Sequence, residues 1–219
     1  MSPQEAPPEE QIPLEIAFTN VPRGTLEKIS SYAKLFWDWN HHINLTGEKS
    51  FTTFLERQIA DCIGAATLLS ENETWLDIGT GGGLPALVWA LLAPTNHFFL
   101  IESLQKKVSF LHRASQQLKI SNAQIWGMRF EELSREPEKL TRLSNCQVVT
   151  RGTAAPEDLV TMMRTTQLAW SKWAVFVSEK TAAEFLTLSK KFGMKSEAFE
   201  YMRRPHGPGE KGLLIVLQR

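Results

Sequence analysis

One short stretch, residues 74–87 (TWLDIGTGGGLPAL), constrains the fold more than any other part of the chain. The apolar run Thr74–Ile78 predicts a buried strand, and the apolar segment Leu84–Ala93 predicts a helix. Three glycines at two-residue spacing lie between them: Gly79, Gly81 and Gly83. Glycines at a strand-to-helix turn allow a sharp bend and a close approach of the backbone to a ligand, and the helix N-terminus adds free N–H groups. The stretch therefore predicts a ligand-binding turn.

Two carboxylates narrow the choice of ligand. Asp77 precedes the first glycine by two residues, so its charge would repel a pyrophosphate but suits an ammonium or sulfonium group. Glu102 follows the apolar run His97–Ile101 and is placed, at the end of the next strand, to accept hydrogen bonds from two ribose hydroxyls. Together they favour an adenosyl ligand without phosphates, such as S-adenosyl-L-methionine. An NAD site or a purely structural turn is the alternative at this point.

The rest of the chain alternates predicted strands and helices. Further strands are predicted at five places: 123–126, 147–150, 172–177, 199–202 and 213–218. The last two are expected to pair antiparallel at the sheet edge. Because alternating βα units build parallel sheets, the pattern predicts a mostly parallel, seven-stranded, doubly wound α/β fold that binds its ligands at the carboxyl ends of the strands.

The chain before this fold divides into two parts. Residues 1–24 are rich in proline and glutamate and predict an acidic tail without a core of its own. Residues 25–70 predict an N-terminal layer of two amphipathic helices, the first capped by Thr25 and the second starting at the capping-box pattern of Thr53. Residues 71–219 form the ligand-binding domain, in which Ser103 is predicted to cap the helix after the second strand.

Charge is uneven although the whole chain is neutral. Residues 1–100 hold 5 Lys and Arg against 12 Asp and Glu, whereas residues 101–219 hold 19 against 12. A basic half favours an anionic partner. The two cysteines and five histidines lack metal-ligand spacing, which predicts buried thiols and no metal site. The lack of a leader or of an apolar run of membrane length predicts a cytoplasmic protein that binds no membrane.

Further loops are expected at the same edge as the glycine-rich turn. Phe130 and Glu131 follow the third strand and could stack on an adenine ring and accept from its exocyclic amine, although a core position for Phe130 is an equal alternative. Arg151 directly follows the fourth strand, where a guanidinium can fork onto a phosphate or a base edge. The run Arg203–His206 with Lys211 is a further candidate for phosphate contact, with a solvated loop as the alternative.

Several blocks of sequence together resemble one known family. They are Trp39-Asn40-x-x-Ile43-Asn-Leu-Thr46, Arg57-x-Ile-x-Asp61, Leu76-Asp-Ile-Gly-Thr-Gly-Gly-Gly-Leu-Pro85, Glu102-Ser-Leu-x-Lys-Lys107, Arg129-x-Glu-Glu132 and Thr150-Arg151. In this order they closely resemble the bacterial 16S ribosomal RNA guanine-N7 methyltransferases, also called the glucose-inhibited division protein B family. The likeness covers about residues 25–217, and the block that begins at Trp39 makes it specific.

The resemblance implies a Rossmann-like class I methyltransferase that moves a methyl group from S-adenosyl-L-methionine to N7 of a guanine in 16S ribosomal RNA. Guanine N7 has a free in-plane lone pair, so the attack needs alignment and no general base. The implied cofactor contacts are Gly79, Leu84, Glu102, Phe130 and Glu131, to which the turn adds Asp77, Gly81 and Gly83. Arg151 and Arg129 fall where the family has arginines for the cofactor edge or the RNA, and we take them as the catalytic candidates. The implied partner is the small ribosomal subunit or its assembly intermediate, and a monomer is expected.

The chain departs from the family pattern on the side expected to face the substrate. Arg57-Gln-Ile-Ala-Asp-Cys62 stands where the family usually has Arg-His-Ile-x-Asp-Ser, and Thr150-Arg-Gly152 stands where it has Ser-Arg-Ala. The glycine-rich turn is intact. Three alternatives therefore stay open: a diverged methyltransferase that acts on another RNA, a protein or a small molecule; a non-catalytic RNA-binding relative; and an NAD-dependent oxidoreductase.

Overall fold

The described residues form one seven-stranded sheet with helices on both faces. The computed structural model describes residues 18–203 and 211–218, so residues 1–17 of the predicted acidic tail lie outside the described residues. The strands are β1 (Thr74–Ile78), β2 (His97–Ile101), β3 (Ala123–Trp126), β4 (Cys146–Arg151), β5 (Trp170–Val177), β6 (Lys195–Met202) and β7 (Lys211–Gln218). Their spatial order is β3-β2-β1-β4-β5-β7-β6.

Strand pairing confirms the predicted mostly parallel, doubly wound sheet. β1 to β5 pair in parallel, whereas β7 runs antiparallel to both β5 and β6. β1 lies at the centre, where Asp77 is in register with Leu100 of β2 and Val149 of β4. β6 begins at Lys195, four residues before the predicted start, because its first residues are polar and lie on an exposed edge that leaves no apolar pattern.

The helices surround this sheet. They are α1 (Arg23–Ile43), α2 (Phe51–Phe54), α3 (Ala60–Ala65), α4 (Ala86–Leu92), α5 (Gln105–Gln117), α6 (Pro137–Arg142), α7 (Pro156–Thr165) and α8 (Glu179–Lys191). A π-helical turn, Leu55–Ile59, joins α2 to α3, and short 3₁₀ segments cover Ala66–Leu68 and Phe130–Arg135. Within the described ranges, no helix is both long and apolar enough to span a bilayer. The two cysteines are free and buried, as predicted.

The predicted starts of the first two helices are wrong. α1 begins at Arg23, two residues before Thr25, because the extended backbone of Pro22 already directs the chain into the helix. α2 begins at Phe51, and its cap is the hydroxyl of Ser50, which accepts a hydrogen bond from the Thr53 N–H at 3.1 Å. Thr53 is therefore the donor to the N-cap and not the N-cap itself. Ser50, three residues earlier, has a hydroxyl that can accept in the same way.

The N-terminal helices share one hydrophobic core with the sheet. The ring of Phe36 in α1 stacks on Phe54 of α2 with 4.5 Å between centroids, and it meets Phe110 of α5 edge-on at 5.7 Å. α6, α7 and α8 cover the opposite face with a second core. The N-terminal layer is therefore packed against the domain that carries the glycine-rich turn.

This packing brings α1 onto the glycine-rich turn itself. The Tyr32 hydroxyl, which is fully buried, donates a hydrogen bond to the carbonyl oxygen of Gly82. Burial raises the pKa of Tyr32 well above its ordinary value, so the phenol stays a donor. A Cβ at Gly82 would overlap the ring of Phe36. The turn can approach the helix this closely only because residue 82 has no side chain.

We expect Gly82→Ala to destabilise the protein by about 1–3 kcal/mol, because the added methyl group must displace a Phe36 ring already packed against Phe54 and Phe110. Gly24→Ala is the matched control, since Gly24 lies in the first turn of α1 and has no atom within 4 Å of the added Cβ. The control should leave stability unchanged or raise it by up to about 1 kcal/mol. Urea unfolding of both variants measures the difference, and equal midpoints would contradict the packing argument.

Candidate active site

Asp77, at the carboxyl end of β1, is the chemical centre of the site. Its side chain is 1% exposed. One carboxylate oxygen, Oδ2, accepts from the Thr80 hydroxyl at 2.7 Å and from the Ala86 N–H at 3.3 Å. The other oxygen, Oδ1, is buried and has no hydrogen-bond partner among the described residues. Burial raises the pKa of Asp77 to about 7, against the lowering effect of the bonds from Thr80 and Ala86.

Glu102 lies on the other side of the same turn. Its Oε2 accepts from the Gly81 N–H at 3.0 Å, and its Oε1 accepts from the Leu104 N–H at 2.8 Å. The N-cap of α5 is Leu104 and not the predicted Ser103, and Glu102 binds the N–H of this N-cap residue. Each carboxylate oxygen can accept a second hydrogen bond. Asp77 therefore holds the glycine-rich turn at Thr80 and Ala86, and Glu102 holds it between them at Gly81.

The backbone of the turn requires glycine. Gly79, Gly81 and Gly83 all have positive φ angles, of 66°, 59° and 94°. A Cβ at Gly79 would overlap Thr153, whose hydroxyl donates to the Ile78 carbonyl at 3.0 Å, whereas a Cβ at Gly81 would enter open space. The turn extends through Pro85, so α4 starts two residues later than predicted. Gly81 leaves room for a ligand beside Glu102.

Arg151 is the last residue of β4, and all the hydrogen bonds described for its guanidinium go to the N-terminal layer. Its Nη1 donates to the Gln58 carbonyl oxygen at 3.3 Å and to the Cys62 Sγ at 3.6 Å. Its Nη2 donates to the Arg57 carbonyl oxygen and to the Asp61 Oδ2, both at 3.1 Å. Arg151 therefore ties the π-helical turn to the sheet, a contact that sequence patterns did not suggest.

Asp61 is the acidic partner in this cluster and connects three elements. Besides Arg151, it accepts from the Tyr201 hydroxyl at 2.9 Å and from the Arg203 Nε at 2.6 Å, both through Oδ1. The side chain of Asp61 is buried, and its two ion pairs offset the cost of burying its charge. Of the run Arg203–His206, residues 204–206 lie outside the described part of the chain.

The three site residues predicted in the loop after β3 differ in burial. Phe130 is 4% exposed and packs in the core on the α6 side of the sheet, which is the second of the two roles considered for it. Glu131 is exposed, and so is the side chain of Arg129. The Arg129 N–H donates to the Glu132 carboxylate at 3.0 Å, which fixes the start of the 3₁₀ segment.

Three residues at the site were missed by sequence reasoning. Thr80 lies within the glycine-rich motif, three residues after Asp77, and that spacing could have suggested its hydrogen bond. Tyr32 and Thr153 reach the turn from distant parts of the chain, and no local pattern marks them. Among the residues that the structure describes, no group of His, Cys, Asp and Glu is arranged to hold a metal ion.

The geometry suits a ligand that carries a positive charge and a diol. A buried carboxylate oxygen without a partner costs stability, so the Asp77 Oδ1 is best explained by a donor or cation supplied by a ligand. The carboxylate of Glu102 has lone pairs left for hydroxyl donors. Two carboxylates around one turn disfavour a pyrophosphate. Both features fit S-adenosylmethionine.

Solved structures agree with the fold. The human methyltransferase 10 domain containing protein aligns with a TM-score of 0.57 at 12% identity, covering 90% of this chain and 99% of that chain. A SAM-dependent O-methyltransferase from Thermotoga maritima aligns with a TM-score of 0.55 at 13% identity, covering 84% and 71%. The sheet order and these alignments define the class: the chain has the Rossmann-like fold of class I methyltransferases.

The particular family follows from the sequence. Residues 25–208 match the GidB family, described as rRNA small subunit methyltransferase G. This chain belongs to that family.

Three relatives carry the name ribosomal RNA small subunit methyltransferase G. The Wolinella succinogenes protein is 38% identical over 117 residues, which are 53% of this chain and 60% of that protein. The Cereibacter sphaeroides protein is 36% identical over 134 residues, 59% of this chain and 64% of that protein. The Salmonella agona protein is 29% identical over 188 residues, 86% of each. The chain thus spans less than two thirds of the first two relatives and most of the third.

The raised pKa of Asp77 predicts how stability depends on pH. A folded-state pKa of about 7, above the ordinary 3.8, favours the neutral form, so its stabilising effect is present below about pH 4 and is lost as pH rises through 7. We expect Asp77→Asn, which keeps an acceptor for Thr80 and Ala86, to unfold at higher urea than the wild type at pH 8. The difference should be on the order of 4 kcal/mol at most and should vanish near pH 4.

Asp38→Asn is the control, because Asp38 lies on the exposed side of α1. Without added ligand, this variant should follow the wild-type dependence on pH. Parallel curves for Asp77→Asn and the wild type between pH 4 and 8 would contradict the raised pKa.

Proposed function

We propose that this chain transfers a methyl group from S-adenosyl-L-methionine to N7 of a guanine in 16S ribosomal RNA. The observation that carries the proposal is the buried, unpartnered Oδ1 of Asp77 at a turn that Glu102 also holds, through the Gly81 N–H. The two carboxylates favour a cationic nucleoside without phosphates as the ligand. Membership of the GidB family supports ribosomal RNA as the substrate.

The cofactor contacts follow from this assignment. They are Asp77, Gly79, Gly81, Gly83, Leu84, Glu102 and Glu131; Phe130 is left out because its ring is buried in the core. Asp77 would meet the positively charged end of the cofactor and Glu102 its ribose, while the open side of Gly81 admits the ligand between them. Leu84 is buried under the turn, and Glu131 is exposed at the edge of the crevice. When bound, S-adenosylmethionine supplies an electrophilic methyl group.

The chain contributes alignment to this chemistry. Guanine N7 carries a lone pair and no proton, so no side chain has to act as a general base. The Asp77 carboxylate and the glycine-rich turn fix one reactant, and the RNA-facing residues fix the other, which lowers the entropic part of the barrier. We place Arg129 on the RNA side of the site, and Arg151 behind that side, where the N-terminal layer binds its guanidinium.

The names of the relatives support the same substrate. We infer a cytoplasmic enzyme that acts as a monomer on the small ribosomal subunit or its assembly intermediate. In this arrangement residues 25–70 form a helical layer beside the methyltransferase domain of residues 71–219, with residues 1–24 as an acidic tail. A basic second half of the chain suits an RNA partner.

Mapping of 7-methylguanosine tests the proposal. We expect the wild type, supplied with S-adenosylmethionine, to introduce one 7-methylguanosine into 16S ribosomal RNA, as naked RNA or in the small subunit. The rate at subsaturating RNA should fall steeply between 50 and 200 mM salt, because phosphate contacts are lost. Asp77→Asn should lose at least about tenfold in the affinity for S-adenosylhomocysteine, since it removes a buried carboxylate from the cationic end of the ligand.

The other outcomes separate the alternatives. Binding of S-adenosylhomocysteine without any 7-methylguanosine in 16S RNA would point to a methyltransferase of another target. RNA binding without cofactor binding would point to a non-catalytic relative. Calorimetric binding of NAD in place of S-adenosylhomocysteine would contradict the proposal altogether.

Gly81→Ala tests the cofactor turn separately. The added methyl group would project into the open space beside Glu102, so we expect the affinity for S-adenosylhomocysteine to fall by more than about tenfold. Gly193→Ala is matched to it, because Gly193 also has a positive φ, of 67°, and open space around its Cβ, but lies after α8. Both variants should lose about 1–2 kcal/mol of stability through backbone strain, and only Gly81→Ala should lose the ligand. If calorimetry gave the two variants the same affinity for S-adenosylhomocysteine, Gly81 would not belong to the cofactor site.

A further inference from the structure

Arg57 is an exposed arginine whose backbone is held at the site. Its side chain lies on the outside of the π-helical turn Leu55–Ile59. Its carbonyl oxygen accepts a hydrogen bond from the Nη2 of Arg151 at 3.1 Å. An exposed guanidinium on a fixed backbone is well placed to bind an anion, because little backbone freedom is lost on binding.

Arg151 is fully engaged inside the protein. Its two terminal nitrogens have four N–H groups, and these meet four acceptors: the Gln58 and Arg57 carbonyl oxygens, the Cys62 Sγ and the Asp61 carboxylate. Its guanidinium carbon also lies 5.2 Å from the centre of the Phe176 ring. To fork onto a phosphate, Arg151 would have to give up these bonds and leave Asp61 with one fewer ion pair.

The π-helical turn is held from both sides. The Ala60 N–H donates to the Leu55 carbonyl oxygen five residues back, which widens the helix at Arg57 and Gln58. On the inner side the carbonyls of these two residues accept from Arg151. On the outer side the Gln58 amide donates to the Thr46 hydroxyl at 3.2 Å and to the Glu48 carboxylate at 3.4 Å.

These contacts place the turn at the carboxyl edge of the sheet. Arg151 is the last residue of β4, two residues after Val149, which is in register with Asp77. The charge of Arg151 also acts on Asp77 and lowers the pKa of that carboxyl, against the larger effect of burial. The Arg57 backbone, one hydrogen bond from Arg151, therefore lies at the same edge of the sheet as Asp77.

We propose that Arg57 contacts a phosphate of the RNA backbone, and that Arg151 and Asp61 are positioning residues that present it. The inference rests on the proposed function, because it assumes an RNA substrate beside the cofactor site. A guanidinium and a phosphate form charge-assisted, bidentate hydrogen bonds, and each phosphate contact adds to the salt dependence of RNA binding.

RNA affinity measured across a salt series tests the role of Arg57. With 16S ribosomal RNA between 50 and 200 mM salt, Arg57→Ala should bind about tenfold more weakly than the wild type, with a slope of log affinity against log salt smaller by about one. Arg57→Lys should recover most of the affinity. The melting temperature and the affinity for S-adenosylhomocysteine should not change in either variant. The control is Arg142→Ala, an exposed arginine at the end of α6 that donates to Gln124, and it should bind RNA like the wild type.

A double-mutant cycle tests the positioning role. Arg151→Ala alone should weaken RNA binding by a factor similar to Arg57→Ala, and the double variant should bind no more weakly than Arg57→Ala does. If Arg151→Ala fails to fold, Asp61→Asn serves in its place, since it keeps the shape of the side chain and removes the charge that holds Arg151.

The outcomes that overturn the inference differ from those that overturn the proposed function. Unchanged affinity and salt slope in Arg57→Ala would overturn the role of Arg57. Losses that multiply in the double variant would show that Arg151 contacts the RNA itself and would overturn its positioning role. A wild type that binds S-adenosylhomocysteine but neither binds nor methylates 16S RNA would overturn the proposed function, and the inference with it.

Discussion

A buried carboxylate with one satisfied oxygen is the constraint on which the rest of the site depends. The bonds from Thr80 and Ala86 both reach the Oδ2 of Asp77, so Oδ1 is left in a desolvated position without a donor. Burial raises the pKa to about 7, which means that ionising this group at neutral pH costs the free protein stability. A cationic ligand offsets that cost, and the same arrangement that weakens the fold therefore strengthens ligand binding.

The strands, the glycine-rich turn and its two carboxylates could be predicted from sequence because local patterns mark them. Asp77 lies two residues before Gly79 and Glu102 follows the neighbouring parallel strand, so topology alone brings them to one edge. Contacts between distant side chains could not be predicted in this way. The Tyr32 hydroxyl meets Gly82 across 50 residues and Arg151 meets Asp61 across 90, and both depend on how the helical layer packs on the sheet. Ser50 took the role predicted for Thr53 because several side chains near a helix start can satisfy the same N–H groups, and Leu104 is the N-cap in place of Ser103.

RNA binding is not the only explanation for the excess of basic residues in the second half of the chain, because helix ends also favour them. Basic residues of the second half occupy the last turns of α6, α7 and α8: Lys139, Arg142, Arg164, Lys190 and Lys191. Positive charge is favourable at the C-terminus of a helix, where the macrodipole is negative. In a doubly wound fold these helix ends lie at the edge opposite the ligand site. The charge count therefore overstates how basic the substrate side is, and RNA binding must depend on individual residues of that side.

The block that begins at Trp39, which made the family resemblance specific, holds neighbouring elements in place through hydrogen bonds. The Asn40 side chain accepts from the backbone N–H groups of Leu45 and Thr46, at 2.7 and 2.8 Å, and so closes the C-terminus of α1. The Thr46 hydroxyl then accepts from Gln58, which stands where the family usually has His and keeps a nitrogen donor at this position. One end of the layer thus holds the π-helical turn, while Tyr32 holds the glycine-rich turn. Because the N-terminal layer holds both turns, its packing fixes where the π-helical turn lies relative to the glycine-rich turn.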